Sequence, residues 1–220
     1  MTLIPVKTPK FVKKLFPNYV WDIATTEKVI YLTFDDGPTP EITNWTLDVL
    51  KTYNAKATFF CIGNNIEKHP EIFKNILNNG HAIGNHTLNH VKGWKSSVAL
   101  YLKEVTSTQQ VIENVTSSAT AKYKYQISNL FRPPFGKIKN RQGKALLKLG
   151  YKIIMWDILT FDWKTQITKE TCLKNAISKT GNGSVVVFHD SVKASKNMKY
   201  ALPKMLEYFS NKGYVFKSLT

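Results

Sequence analysis

Two features of the 220-residue chain predict an α/β fold with a mostly parallel sheet. Seven short apolar, β-rich runs each end in or just before polar or glycine-rich residues. Helical patterns separate most of these runs, and such alternation is the pattern of parallel strands joined by crossover helices. The count of seven fits an incomplete barrel better than an open doubly wound sheet. A chain this long buries roughly 70% of the surface its unfolded form exposes, so one large domain needs no disulfide or metal merely to fold.

The expected strands are Val29–Phe34, Ala57–Ile62, Ala82–Gly84, Asn129–Phe131, Lys152–Trp156, Ser184–Phe188 and Tyr214–Lys217. Behind Thr39-Pro40, the residues Ile42, Trp45, Val49, Leu50 and Tyr53 follow a 3.6 period, with proline suited to the first turn. A second helix is expected from about Pro70 to Leu77, stopped by Asn79-Gly80, and a long amphipathic one over Val98–Val115. Ala145–Leu149 ends at Gly150, and Thr168–Ser178 ends before Gly181. Met198, Leu202, Met205, Leu206 and Phe209 share a helical face, with Pro203 expected to impose a kink or a late start. Ser117–Ser128 reads as a polar loop. The organisation expected is an extension over residues 1–27, packed on or beside a barrel over residues 28–220.

Composition narrows the function. Hydrophobic residues make up 43% and charged residues 21%, an ordinary globular balance. No apolar run approaches the ~20 residues that cross a bilayer. Thirty-one Lys and Arg against fifteen Asp and Glu leave +16, a charge that attracts polyanions. The lysines are scattered apart from Lys7, Lys10, Lys13 and Lys14, and read as a solubilising coat. No nucleic-acid-binding motif accompanies them, so nucleic-acid binding is disfavoured. Cys61 and Cys172 form no CxxC pair and are too few for a disulfide scaffold. No apolar signal segment precedes the lysine cluster. The default location is therefore cytoplasmic, with the extracellular space or cell envelope as the alternative.

In a parallel α/β fold, residues just after the strands share one edge, where such folds keep their sites. That edge gathers Asp35 and Asp36, His86 and His90, Arg132-Pro133-Pro134-Phe135-Gly136, Asp157, Asp162 with Trp163, and His189-Asp190. His86 and His90 are four apart, a spacing that puts both imidazoles on one side of a helix. Two histidines with an aspartate from a neighbouring strand end make a divalent-metal site with positions left for water. Adjacent Asp35 and Asp36 can split roles at a turn, one on the metal and one beside its water.

Thr33-Phe34-Asp35-Asp36-Gly37, His86-Thr87-Leu88-Asn89-His90, Arg132-Pro133-Pro134-Phe135, Asp162-Trp163 and Val187-Phe188-His189 occur in order. On these motifs the chain resembles a polysaccharide deacetylase of the NodB-homology type (carbohydrate esterase family four) over about residues 28–218. The resemblance implies a distorted, TIM-like (β/α)7 barrel and a metal-dependent hydrolase that releases acetate. It implies an N-acetylglucosamine-containing substrate, chitin, chitooligosaccharide or peptidoglycan. An acetylxylan esterase and a non-catalytic carbohydrate-binding relative are the alternatives. By the same resemblance Asp36, His86 and His90 match the ligands of one divalent ion, zinc, or else cobalt or nickel. Asp35 matches the general base and His189 the general acid. Arg132 matches the residue that orients the base, and Asp162 the carboxylate that tunes His189. The Phe135 backbone N–H would complete an oxyanion site, while Pro134, Trp163 and Val187 would border the substrate.

The chain departs from the family pattern in three places. Leu159 stands where a further aspartate is common, Phe135 replaces the commoner tyrosine, and Val187 the commoner leucine. None removes a ligand or a catalytic group. The excess of lysine favours an anionic wall polymer near the substrate, and a monomer is expected.

Overall fold

The structure, a computed structural model, describes residues 5–117 and 127–219. Its strands are β1 (Val29–Asp35), β2 (Ala57–Cys61), β3 (Ala82–Asn85), β4 (Ile127–Phe131), β5 (Lys152–Ile153), β6 (Ile158–Leu159), β7 (Val185–His189) and β8 (Val215–Phe216). They pair in parallel in the order β5-β4-β3-β2-β1-β7-β6, with β8 on the first half of β1. The helices are α1 (Lys10–Leu15), α2 (Ile42–Thr52), α3 (Gly63–Lys68), α4 (Pro70–Asn78), α5 (Val98–Thr116), α6 (Asn140–Lys148), α7 (Lys169–Ser178) and α8 (Ser195–Ser210). The sheet curls into a distorted (β/α) barrel.

Side chains alternate along each strand, so β1 sorts its residues between two compartments. Ile30, Leu32 and Phe34 join Ala57, Phe59, Val186 and Phe188 in the larger core, beneath the helices. On the other face, Phe60, Leu130, Ile154, Val185 and Leu219 pack with Tyr31 inside the barrel. Thr33, Asp35, Val187 and His189 continue that inner face towards the open end. Gly84 of β3 sits where any Cβ would strike the Phe60 ring, so glycine lets that ring lie flat inside the barrel.

One expected strand is two. The run Lys152–Trp156 gives β5 only to Ile153, and β6 begins at Ile158. The Ile154 and Met155 carbonyls turn to the Arg132 guanidinium, at 3.2 and 2.8 Å, and are thereby taken from strand pairing. The N-terminal segment occupies the seam that results. Val20 bridges Ile154 in parallel and Lys7 bridges Ile158 in antiparallel fashion. Lys7 and Lys13 both clasp the buried carboxylate of Asp157 at 2.6 Å, and Lys13 also pairs with Asp22. These two lysines are therefore fasteners rather than part of a solubilising coat.

Helix α8 runs through Pro203 from Ser195, without the expected late start. The lost backbone bond is offset by the apolar face of Met198, Leu202, Met205, Leu206 and Phe209, buried in the main core. Helices α1 and α3 were not expected from sequence. Of the expected loop Ser117–Ser128, residues 118–126 lie outside the described residues, while Ile127 and Ser128 already belong to β4. Cys61 and Cys172 are free, buried thiols. No helix of the described residues is long and apolar enough to cross a membrane.

Candidate active site

Strand register assembles the rim. Asp35 is the partner of His189 across β1 and β7. Cys61, Asn85 and Phe131 share the next row across β2, β3 and β4, so His86 and Arg132 emerge together one residue later. A cavity of about 450 Å³ opens there, lined among others by Asp35, Asp36, His86, His90 and His189.

After Asp35 the chain adopts a positive φ of 81° at Asp36, so the two adjacent carboxylates diverge. Asp35 points at Arg132, while Asp36 Oδ1 lies 3.2 Å from His90 Nε2 and 3.7 Å from His86 Nε2. Gly37 keeps this turn tight, since a Cβ there would strike Asp190. Buried Asp190 accepts from the Gly37 N–H at 3.1 Å and from the Thr43 hydroxyl at 2.6 Å. It thus holds the turn after Asp36.

The histidines converge without a helix. Residues 86–92 form an irregular loop with positive φ at Thr87 and His90, and the two rings stand 5.1 Å apart. Glu104 braces this loop, accepting from the Asn89 backbone at 2.8 Å and from its side-chain amide at 2.9 Å. Asn85 adds a bond to the Thr87 N–H.

The residues present fit a cation. One ligand atom each from Asp36, His86 and His90 lies within 4.8 Å of the others. Asp36 Oδ1 is buried and accepts no hydrogen bond, so its negative charge is left for something else to satisfy. His86 Nδ1 contacts the Arg132 carbonyl at 2.8 Å. A carbonyl can only accept, so Nδ1 carries the proton and Nε2 keeps its lone pair free for a cation shared with Asp36. Burial lowers the His86 pKa to about 4 against the pull of Asp35, and burial lowers His90 as well. Both rings are neutral near pH 7, as metal ligands must be.

Two further pairs flank this triad. Fully buried Arg132 donates through Nη1 to Asp35 Oδ1 and to Thr33 Oγ1, each at 2.7 Å. Its guanidinium also lies 4.2 Å from the Phe60 ring centroid. Burial alone would raise the Asp35 pKa, but Arg132, His86 and His189 together hold it below the usual carboxylate range. On the other side His189 Nδ1 lies 2.9 Å from Asp162 Oδ1, and the His189 backbone N–H donates to Asp162 Oδ2 at 2.7 Å. Burial would lower the His189 pKa, yet the Asp162 carboxylate outweighs it and raises it to about 9.

The remaining expected residues divide. Trp163 and Val187 line the cavity, Trp163 edge-on to His189 at 4.6 Å. Phe135 stands over His90 at 4.5 Å with φ 59°, and Gly136 follows in the same tight turn. Pro134 is buried beneath that turn, and Pro133 takes its expected place on the cavity wall. Asp157 stands away from the rim, held by its two lysines. Sequence reasoning missed Glu104, Thr33, Trp156 and Lys193. A signal existed for Glu104, a lone carboxylate on the buried stripe Tyr101, Val105, Thr108 and Ile112 of α5.

A parallel barrel with a cation-ready triad, a carboxylate on arginine and an imidazole on carboxylate at one mouth has the equipment of a hydrolase. Comparison with known proteins narrows that class. The family model described as polysaccharide deacetylase matches residues 22–154. A peptidoglycan-N-acetylglucosamine deacetylase of Bacillus cereus is 32% identical over 212 residues, covering 94% of this chain and 95% of the relative. The Bacillus subtilis peptidoglycan-N-acetylmuramic acid deacetylase PdaC is 34% identical over 192 residues, 87% of this chain but 38% of that longer protein. A crystal structure of a peptidoglycan N-acetylglucosamine deacetylase, in complex with 4-naphthalen-1-yl-N-oxidanyl-benzamide, superposes with a TM-score of 0.85. That pair is 31% identical, with 96% of this chain and 95% of that chain covered. The chain belongs to the polysaccharide deacetylase family and is by that membership a hydrolytic deacetylase.

Proposed function

We propose that this protein removes acetyl groups from the N-acetylated sugars of peptidoglycan in a zinc-dependent hydrolysis that releases acetate. The observation that carries the reading is the orphaned Asp36 carboxylate, closed in by two neutral imidazoles between an oriented aspartate and an oriented histidine. The names of the relatives favour peptidoglycan over chitin or acetylxylan.

Asp36, His86 and His90 hold the ion. When bound there, a divalent ion acidifies water towards a pKa of ~7 and polarises a carbonyl oxygen. Asp35, with one oxygen committed to Arg132, takes the proton of the attacking water on the other. The lowered Asp35 pKa keeps it ionised and ready across the neutral range. The acetyl carbonyl becomes a tetrahedral oxyanion, which the backbone N–H of Phe135, in the positive-φ turn beside His90, would stabilise. His189, charged by Asp162, donates from Nε2 to the departing sugar nitrogen, so acetate and a free amine leave. Trp163 and Val187 form the apolar wall against the acetyl methyl.

Acetate release tests this reading on peptidoglycan, N-acetylglucosamine oligomers and acetylxylan, before and after chelation. Release is expected from peptidoglycan, lost on chelation and restored by zinc. A zinc-loaded protein that frees acetate from none of the three would overturn it.

A further inference from the structure

The mouth of the cavity carries charge that acetyl hydrolysis does not use. Lys137, after the β4 turn, and Lys193, after β7, both line it. Neither forms an ion pair among the described residues. The cavity's two carboxylates face other partners, Asp35 the Arg132 guanidinium and Asp36 the cation site it shares with the histidines.

Beside Lys137 stands Trp94, 60% exposed, whereas the other four tryptophans are buried or half-buried. An exposed indole gains nothing from core packing, so its position asks for another explanation. It is also fixed. Gly93–Lys95 forms a tight 3-10 turn, the indole N–H donates to the Ile138 carbonyl at 3.2 Å, and the Lys137 ammonium lies 5.1 Å from the ring centroid. A rigid, exposed aromatic plate with a cation over one face matches a sugar ring that lays its C–H side on the indole and reaches an anionic substituent towards the ammonium.

We propose that Trp94 and Lys137 form a distal subsite for a carboxylate-bearing glycan residue near the sugar being deacetylated, with Lys193 adding to the field from the other loop. This rests on the deacetylase reading and deepens it by naming the substrate class: an acidic glycan chain, preferred over a neutral one of equal length. Lys137 and Trp94 act in binding, away from the reacting atoms.

The test compares four substrates: a neutral N-acetylglucosamine hexamer, a peptide-free peptidoglycan strand, the same strand with its carboxylates amidated, and a peptide-bearing strand. Lys137→Gln is expected to lower kcat/KM on the acidic strands about five-fold, the scale of one exposed ion pair, and to do so through KM. Activity on the hexamer and the amidated strand should fall much less than on the acidic strands, and Lys137→Arg should recover most of the difference. Trp94→Ala should weaken all the polymers. A loss on the peptide-free strand locates the carboxylate on the sugar; a loss confined to the peptide-bearing strand locates it on the peptide. Equal effects of Lys137→Gln on native and amidated strands would overturn the subsite. Calorimetric binding of the same strands reads the subsite without turnover, so its failure is distinguishable from a failure of the deacetylase reading.

Discussion

On one flank of the mouth a carboxylate, Asp35, leans on a buried arginine; on the other an imidazole, His189, leans on a buried carboxylate. Both supports are fully buried and neither lines the cavity, whereas both supported groups do. Yet the two pairs push proton affinity in opposite directions. Asp35 is held below its ordinary range and His189 is raised to about 9. Between those limits Asp35 is ionised and His189 protonated, the states that the proposed base and acid need. Separation of this kind is how two titratable groups come to divide acid and base work.

The most severe way to break the comparison is to neutralise Asp35. Asp35→Asn keeps the size of the side chain and an oxygen for Arg132, and leaves Asp36, His86 and His90 in place. Zinc content is expected to persist while kcat falls about 10³–10⁴-fold, the upper range for a lost general base. A variant that retains its zinc and most of its turnover would remove Asp35 from the base role.

Removing the other flank should cost less, and the cost should depend on the leaving group. His189→Ala is expected to slow amide cleavage about 10²–10³-fold, because a sugar amine departs poorly without a proton. An acetyl ester releases a better leaving group, so its loss should be markedly smaller. Measuring both substrates on one preparation decides the matter, since equal losses would leave His189 a structural part only.

How much of this was legible in the chain depends on whether a residue's neighbours are set by register or by loop geometry. Asp35 and His189 end apolar runs that must lie side by side in a parallel sheet, so their meeting on one edge followed from the pattern. The direction of Asp36 did not, because it depends on a positive φ at that one residue. The His86–His90 spacing suggested a helix, and the structure reaches the same proximity through two positive-φ residues and the Glu104 brace. The division of Lys152–Trp156 was hidden for another reason. What ends β5 is the guanidinium of Arg132, twenty-two residues back, claiming two carbonyls, and no local propensity records that. Lys7 and Lys13 looked like surface charge because their partner, Asp157, lies about 150 residues on.

The finest probe of the two flanks is Asp162→Asn, which alters the support and spares the supported group. His189 must be protonated to donate. With its pKa raised to about 9, the acid form fills the neutral range and drains as pH rises through that value. The shift also stabilises the fold. That contribution is complete below the ordinary histidine value of 6.5 and fades as pH climbs through about 9. In Asp162→Asn the amide oxygen can still accept from one of the two His189 N–H groups, but the second acceptor and the charge that opposed burial are gone. Burial is then opposed only by the weaker pull of Asp36 and Asp35, so the pKa falls and the basic limb of the kcat profile should move down from about 9. Activity at pH 6 should change far less than activity at pH 8. A loss uniform across pH would mean that Asp162 only positions the ring, and the electrostatic opposition between the flanks would reduce to a likeness of shape.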